Sequence, residues 1–300
     1  MIHNRKWLVL LLLPGLTGFI FFWVYPVLSG VYISMTNYLD GGKFVFLHNY
    51  IQIFQNKVFL KALLNTFSIT TVGVSLIMVI SFIIGYYIWK TLTMHRLLKV
   101  VLLPLAVATV AISFVWETLF NSNGDINKLF TDILGFSTIN WKSGALSYIT
   151  ILLLYIWRYI GIDIIVFVAA LNTISTEIIQ AFLLDSKSKL KQMYYVFIPG
   201  IVPQTIFVFF ISLMYCLWLS QDIFTLWKDY PPEQLYLLQH FITNSFRKLN
   251  YENAAAASTV LIIIIGVILV FLRKLERRYD IQWSRFINVF RLIHYVLYYV

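Results

Sequence analysis

Charge is what this 300-residue chain has least of: Asp, Glu, Lys and Arg make up 12% of it, against 60% hydrophobic residues. A single water-soluble core cannot hide that much apolar surface, so the composition excludes a soluble globular protein and calls for lipid as solvent. Cysteine is nearly absent. The single Cys216, set in an apolar run, excludes an intrachain disulfide and a cysteine-based zinc cluster. The GxxxxGK(S/T), HExxH and GxSxG patterns are missing as well, so the chain carries no evident catalytic, metal or nucleotide-hydrolysing site of its own. Gly41-Gly42-Lys43 lacks the rest of a P-loop and reads as a turn. Acidic residues number 13 against 23 basic ones, a formal charge of +10. With no interleaved basic and aromatic nucleic-acid module, that excess reads as a membrane-leaflet and topology feature.

What the chain does have is long apolar runs. A helix crosses the roughly 30 Å hydrocarbon layer with about 20 apolar residues. The runs therefore predict about six spans, near Trp7 to Tyr32, Ala62 to Trp89, Leu97 to Phe120, Leu146 to Leu171, Gly200 to Leu219 and Ala254 to Leu272. The first follows Arg5 and Lys6 and has a long apolar region without a small-residue cleavage site, so it reads as an uncleaved span. Basic residues at the start, at Lys90/Arg96/Lys99, at Lys187/Lys189/Lys191 and at Arg273/Lys274/Arg277/Arg278 alternate with mixed-sign loops. The Lys/Arg bias thus places both termini in the cytoplasm.

A polar island, Ile174 to Pro199, interrupts the apolar pattern. Thr176 to Leu184 predicts a short helix, with Ser175 or Thr176 as its N-cap and Glu177 in its first turn. Ser186 is expected to end it and to cap a second helix carrying the three lysines. Ile178, Ala181, Phe182 and Asp185 share a side at helical spacing and form a knob suited to a partner's groove; a solvated amphipathic loop is the plainer alternative.

On these residues the chain resembles the binding-protein-dependent ABC transporter permeases for sugars and glycerol phosphate, of the maltose-type first-permease kind. That family's cytoplasmic loop reads roughly IPxExxEAAxxDGA, then a Phe and an ITLP ending. Ile174, Glu177, Ala181, Asp185 and Pro199 fall on that spacing, while Ser175, Gln180, Phe182, Ser186 and Met193 depart from it. Smaller matches follow in the family's order: the LLLP start with Tyr25-Pro26, Leu47 to Tyr50, Leu64-Asn65-Thr66, Leu103-Pro104, Trp116, Gly124 to Asn127, Trp157 with Gly161, and Tyr251 to Ala257.

The resemblance implies an all-α membrane protein with the type I importer permease fold, residues 1–275 forming the transmembrane domain; the residues of 276–300 themselves read as an amphipathic or membrane-associated tail. It implies a multi-pass transport subunit in the bacterial cytoplasmic membrane, importing a sugar or oligosaccharide. No cofactor is expected on this chain; ATP and Mg belong to two partner ATPase subunits. The other implied partners are a second permease and an extracytoplasmic solute-binding protein, which the Gln221 to Asn253 stretch would face.

In the family the island is the coupling helix, so Glu177, Gln180, Ala181, Phe182, Asp185 and Ser186 are the implied ATPase contacts. Phe182, larger than the family's Ala, implies an enlarged groove or a shifted helix. The implied substrate path comprises Arg158, Tyr159, Ile162, Ser212, Tyr215, Cys216 and Leu219. Arg158 also has a structural reading, pairing with another span through Glu117, because a charge inside a span seeks a counter-charge or a cavity. Asp163 is poorly spaced to neutralise it on the same helix face. The tail, ending RYDIQWSRFINVFRLIHYVLYYV, reads as an interfacial amphipathic helix. Partner-permease contact and a further span cut short are its alternatives. For the whole chain, a non-transporting or regulatory descendant of such a permease is the second reading.

Overall fold

The computed structural model describes residues 5–37, 41–91, 97–135 and 137–278. Five helices are long and apolar enough to cross a membrane, and a bent pair brings the number to as many as six. By contacts the chain divides into two units, residues 1–64 with 237–267 and residues 65–236 with 268–300.

In the first unit, α1 (Arg5–Phe19) runs through a π turn (Ile20–Val24) into α2 (Tyr25–Ser34). A two-residue hairpin, β1 (Thr36–Asn37) with β2 (Lys43–Phe44), follows, Thr36 opposite Phe44. Gly41 and Gly42 have φ of 71° and 80° in that turn, a region glycine enters without steric cost. The phosphate-friendly triplet is thus a hairpin turn. The Leu47–Tyr50 match supplies its anchor: Asn49, at the start of α3 (His48–Gln55), donates to the carbonyls of Ser34 (3.0 Å) and Thr36 (2.9 Å), and the Tyr50 hydroxyl meets Ser34 Oγ at 2.6 Å.

The second unit is built round α8 (Gly144–Asn172), which is buried almost throughout from Ser147 to Leu171. Around it stand α4 (Lys57–Lys90, within the unit from Asn65), α5 (Leu97–Ala106), α6 (Thr109–Leu119) and α12 (Val202–Trp227). The expected third span, Leu97 to Phe120, is not one straight helix. It breaks at Val107-Ala108, and its two pieces diverge by 102°. Ala108 takes an extended conformation (ψ 141°) there, and hydropathy alone carries no signal for such a break.

Close helix approach explains one glycine. A Cβ on Gly161 would lie 2.1 Å from the Val101 carbonyl oxygen of α5, so only hydrogen fits between α5 and α8. Other family-matching residues are polar pins, Asn127 buried and Asn65 half-buried. Asn127, in α7 (Asp125–Leu134), donates to the carbonyls of Asn121 and Ile139, both at 2.9 Å, and accepts from the Ile139 amide and Trp141 Nε1. Asn65 donates to the carbonyls of Glu233 (2.6 Å) and Tyr236 (3.1 Å), fixing the segment after α12.

Two boundaries differ from the sequence expectation. The fifth span continues to Trp227 instead of ending at Leu219: the polar residues Ser220, Gln221 and Asp222 stay helical, Ser220 bonding back to the Leu217 carbonyl and Asp222 pairing within the bundle. Much of the expected Gln221 to Asn253 connector is accordingly helical: the end of α12, then a 3-10 turn (Glu233–Leu235) and α13 (Leu238–Arg247). The last span, α14, covers Tyr251–Arg278; the tail beyond it lies outside the described residues.

Candidate coupling and translocation site

The island folds as two short helices. In α9 (Thr176–Asp185), the Ser175 side chain caps the first turn by accepting from the Glu177 amide at 3.2 Å. The second helix, α10 (Lys189–Gln192), is capped by Ser188, whose Oγ accepts from the Lys191 amide, and not by Ser186 as the sequence suggested. Ser186 sits at the C-cap of α9 and accepts from the Ser188 amide, bracing the bend between the helices.

The inward anchor of α9 is Ile179, which with Ile174 packs against a core of Val166, Phe167, Ala170, Leu171, Phe197, Ile201 and Val208. Among the expected contact residues, Glu177, Gln180, Ala181 and Asp185 are exposed, while Phe182 and Ser186 are half-buried. Ile178 and Leu183 are exposed beside them, and Leu184 is 90% exposed. α9 therefore joins an apolar base to an apolar outer surface, and the exposed Leu184 is a contact candidate the polarity-led reading passed over.

Side chains from α8 and α12 meet in the interior, and their polar groups pair across the two helices. Arg158, near the middle of α8 and 8% exposed, donates from Nη1 to Asp222 Oδ1 on α12 and from Nη2 to Thr109 Oγ1 (2.8 Å), the first residue of α6. Glu117 instead accepts from Lys142 Nζ at 2.6 Å. The expected pairing of Arg158 with another span is observed, but its partner is Asp222 and not Glu117. Asp222 escaped the sequence reading because the fifth span was ended three residues before it; a lone acid beside an apolar run was the available signal.

Further along α8, Asp163 Oδ2 accepts from Ser212 Oγ at 2.7 Å, and the Tyr155 hydroxyl donates to the Ser212 carbonyl, also at 2.7 Å. Asp163 thus finds its partner on α12, not on its own helix. Tyr159 stacks on Tyr215, with ring centroids 4.3 Å apart and planes 13° from parallel, and the Arg158 guanidinium lies 5.2 Å from the Tyr159 ring centroid.

The structure brings Arg158, Tyr159, Ser212 and Tyr215 into this one network. Cys216 lies on its α4 side, with Sγ 3.7 Å from the Ile69 carbonyl, and Leu219 is fully enclosed. Ile162 and Tyr215 are half-buried, and Trp157 and Trp218 are exposed on the flanks. The arrangement binds helices together through a charged pair, a carboxylate–hydroxyl pair and stacked rings. Its open, aromatic edge consists of Tyr215 and Trp218, while Trp157 packs against Trp116 of α6.

No family model matches the chain. It is, however, 24% identical over 290 residues to an sn-glycerol-3-phosphate transport system permease protein, UgpA, from Pectobacterium atrosepticum, covering 94% of this chain and 98% of that one. It is 25% identical to the arabinooligosaccharides transport system permease protein AraP of Bacillus subtilis, over 88% of this chain and 86% of that protein. Among solved structures, a chain of a bacterial ABC transporter involved in the import of the acidic polysaccharide alginate superposes with a TM-score of 0.77 at 20% identity, covering 92% of this chain and 96% of that one.

Along nearly its whole length the chain is similar to sugar and glycerol-phosphate ABC transporter permeases, and it shares the fold of the alginate importer chain. In chain order α9 follows α8, and α10, the π turn (Met193–Phe197) and α11 (Ile198–Gly200) come between it and α12. A second crystal structure, of the alginate ABC transporter with an alginate pentasaccharide-bound periplasmic protein, matches over the same 92% of the chain with a TM-score of 0.77.

Proposed function

We propose that this permease is one transmembrane half of an importer that carries a sugar or oligosaccharide across the bacterial cytoplasmic membrane. It works with a second permease, two ATPase subunits that bind ATP and Mg, and an extracytoplasmic solute-binding protein. The observation that supports this most is the end-to-end likeness to sugar and glycerol-phosphate permeases, combined with a capped, outward-facing α9 between the two helices that share the buried polar network. α9 would seat in the ATPase, with Glu177, Gln180, Ala181, Phe182, Asp185, Ser186 and the neighbouring Leu184 making the contact.

Closure of the ATPase pair would then move α8 and α12 together, because Arg158–Asp222 and Asp163–Ser212 hold them. The cargo would pass the half-exposed edge of Ile162 and Tyr215, with Trp218 alongside, where aromatic faces suit the C–H surfaces of a pyranose. Arg158, neutralised by Asp222, positions helices instead of binding an anionic cargo; Ser212, Cys216 and Leu219 support the path from behind.

The test is reconstitution of the co-purified complex with binding protein and a panel of saccharides. Saccharide-dependent stimulation of ATP hydrolysis, with uptake into the vesicles, is the expected result. An intact complex that no loaded binding protein stimulates would overturn the reading.

A further inference from the structure

The stretch from α10 into α12 has a second face that the transport reading leaves unused. From Lys189 the chain runs helically through α10, a π turn (Met193–Phe197) and α11 (Ile198–Gly200) to the start of α12. Gln192, Val196, Phe197 and Ile201 point inward and are buried. Outward, the same helical stretch presents Leu190, 84% exposed, with Tyr194, Tyr195 and Ile198, and the two tyrosine rings meet edge to face at 5.2 Å. Lys187, Lys189 and Lys191 are exposed at the polar end of this face and make no ion pair among the described residues.

The order along the helix matters. Three unpaired ammonium groups come first, then two tyrosines, then the apolar span. Tyrosine favours the headgroup level of a bilayer, and lysine stems extend along apolar surface to carry their charges to the phosphate plane. Basic residues beside a span are drawn to anionic lipid, an attraction that fades within a Debye length. An acidic protein groove would satisfy the lysines but would leave Leu190, Tyr194, Tyr195 and Ile198 without a reason to face outward in line with the span.

We propose that this face is a docking surface for anionic phospholipid headgroups, which anchor the base of α12 beside α9. The lysines hold the phosphates, and the tyrosines set the depth. The anchoring rests on the membrane placement of α12 and is read without transport.

The experiment places the full-length chain in its complex in nanodiscs of phosphatidylcholine with phosphatidylglycerol, and measures the phospholipids retained on release by native mass spectrometry. The wild type is expected to retain phosphatidylglycerol preferentially. The K187Q/K189Q/K191Q variant is expected to lose that preference by roughly tenfold or more, given the attraction that each basic residue contributes near a charged surface. Lys128→Gln, another exposed lysine, should leave it unchanged. The three lysines are exposed, so the variant should assemble as the wild type does, and recovery of the ATPase subunits is measured in the same samples. Absence of any preference in the wild type would overturn the proposal. So would an unchanged preference in the triple variant, or a loss of ATPase subunits from that variant in pure phosphatidylcholine discs, which would assign the lysines to a protein partner.

Discussion

Asp222 on α12 accepts a hydrogen bond from Arg158 on α8, and with 1% and 8% of their surfaces exposed the two form a buried ion pair in a membrane-spanning bundle. Removing one member of such a pair strands the other charge, which costs about 3–5 kcal/mol, whereas replacing both with apolar groups of similar size is often neutral. Arg158→Gln and Asp222→Leu are each expected to lower the thermal unfolding midpoint of the purified protein sharply, and Arg158→Met with Asp222→Leu to recover most of it. Transport of neutral and acidic saccharides should fall together in Arg158→Gln. A loss confined to acidic cargo would return Arg158 to the substrate path.

Gly161 is where α5 and α8 touch backbone to backbone. Gly161→Ala forces the helices apart, and overpacking of this kind costs about 1–3 kcal/mol or more. The variant is expected to show reduced yield and a lowered unfolding midpoint. Gly73→Ala is the control, because its added Cβ would meet the Leu152 side chain at 3.3 Å and backbone nowhere nearby, so its effect should be smaller.

The two surfaces of α9 separate folding from coupling. Leu184→Glu alters a residue in contact with solvent and should leave unfolding within about 0.5 kcal/mol of the wild type. Stimulated ATP hydrolysis by the assembled complex should nevertheless drop. Ser175→Ala removes the N-cap, worth about 1 kcal/mol, and should speed hydrogen exchange in the first turn of α9 while sparing α8.

Cys216 offers a direct probe of the interior. It is buried against Ile69 and Thr70, so a membrane-impermeant maleimide is expected to leave it unmodified in the resting protein. Labelling that appears only during ATP turnover would show that the α4–α12 seam opens in the cycle. Rapid labelling at rest would contradict the packing described.

Asn127 tests the polar pins. Its side chain makes four hydrogen bonds, and Asn127→Ala leaves the buried Trp141 donor unmatched, at about 1–3 kcal/mol, and the half-buried Ile139 amide unmatched at less. A lowered unfolding midpoint is expected, and Asn127→Asp should restore only the accepting half of the pattern.

The spans and α9 were legible because lipid imposes length and hydropathy on a helix, and because Ser175 and Glu177 mark a helix start. The break at Val107-Ala108 was not, since both sides of it are equally apolar. Arg158 was visible as a charge in need of a partner, yet Asp222 was assigned to a loop: the polar run Ser220-Gln221-Asp222 lowers the hydropathy although the helix continues to Trp227. Ser188 and Ile179 escaped for a different reason, since a cap and an inward anchor are defined by how the bend turns. The family-matching Asn49, Asn65 and Asn127 looked incidental in sequence, and the structure makes each a clamp on backbone carbonyls.

α8 is a single unbroken helix of 29 residues, roughly 43 Å long at the usual rise, and three residues separate its end from α9. Beside it α5 and α6 form a rod already snapped in two. Thrust applied at α9 therefore has a stiff shaft to travel along, and Arg158 sits at its midpoint holding the free end of the snapped rod through Thr109. Under the proposed coupling, a small displacement at α9 would become a change of angle at the broken span, without any helix having to bend anew.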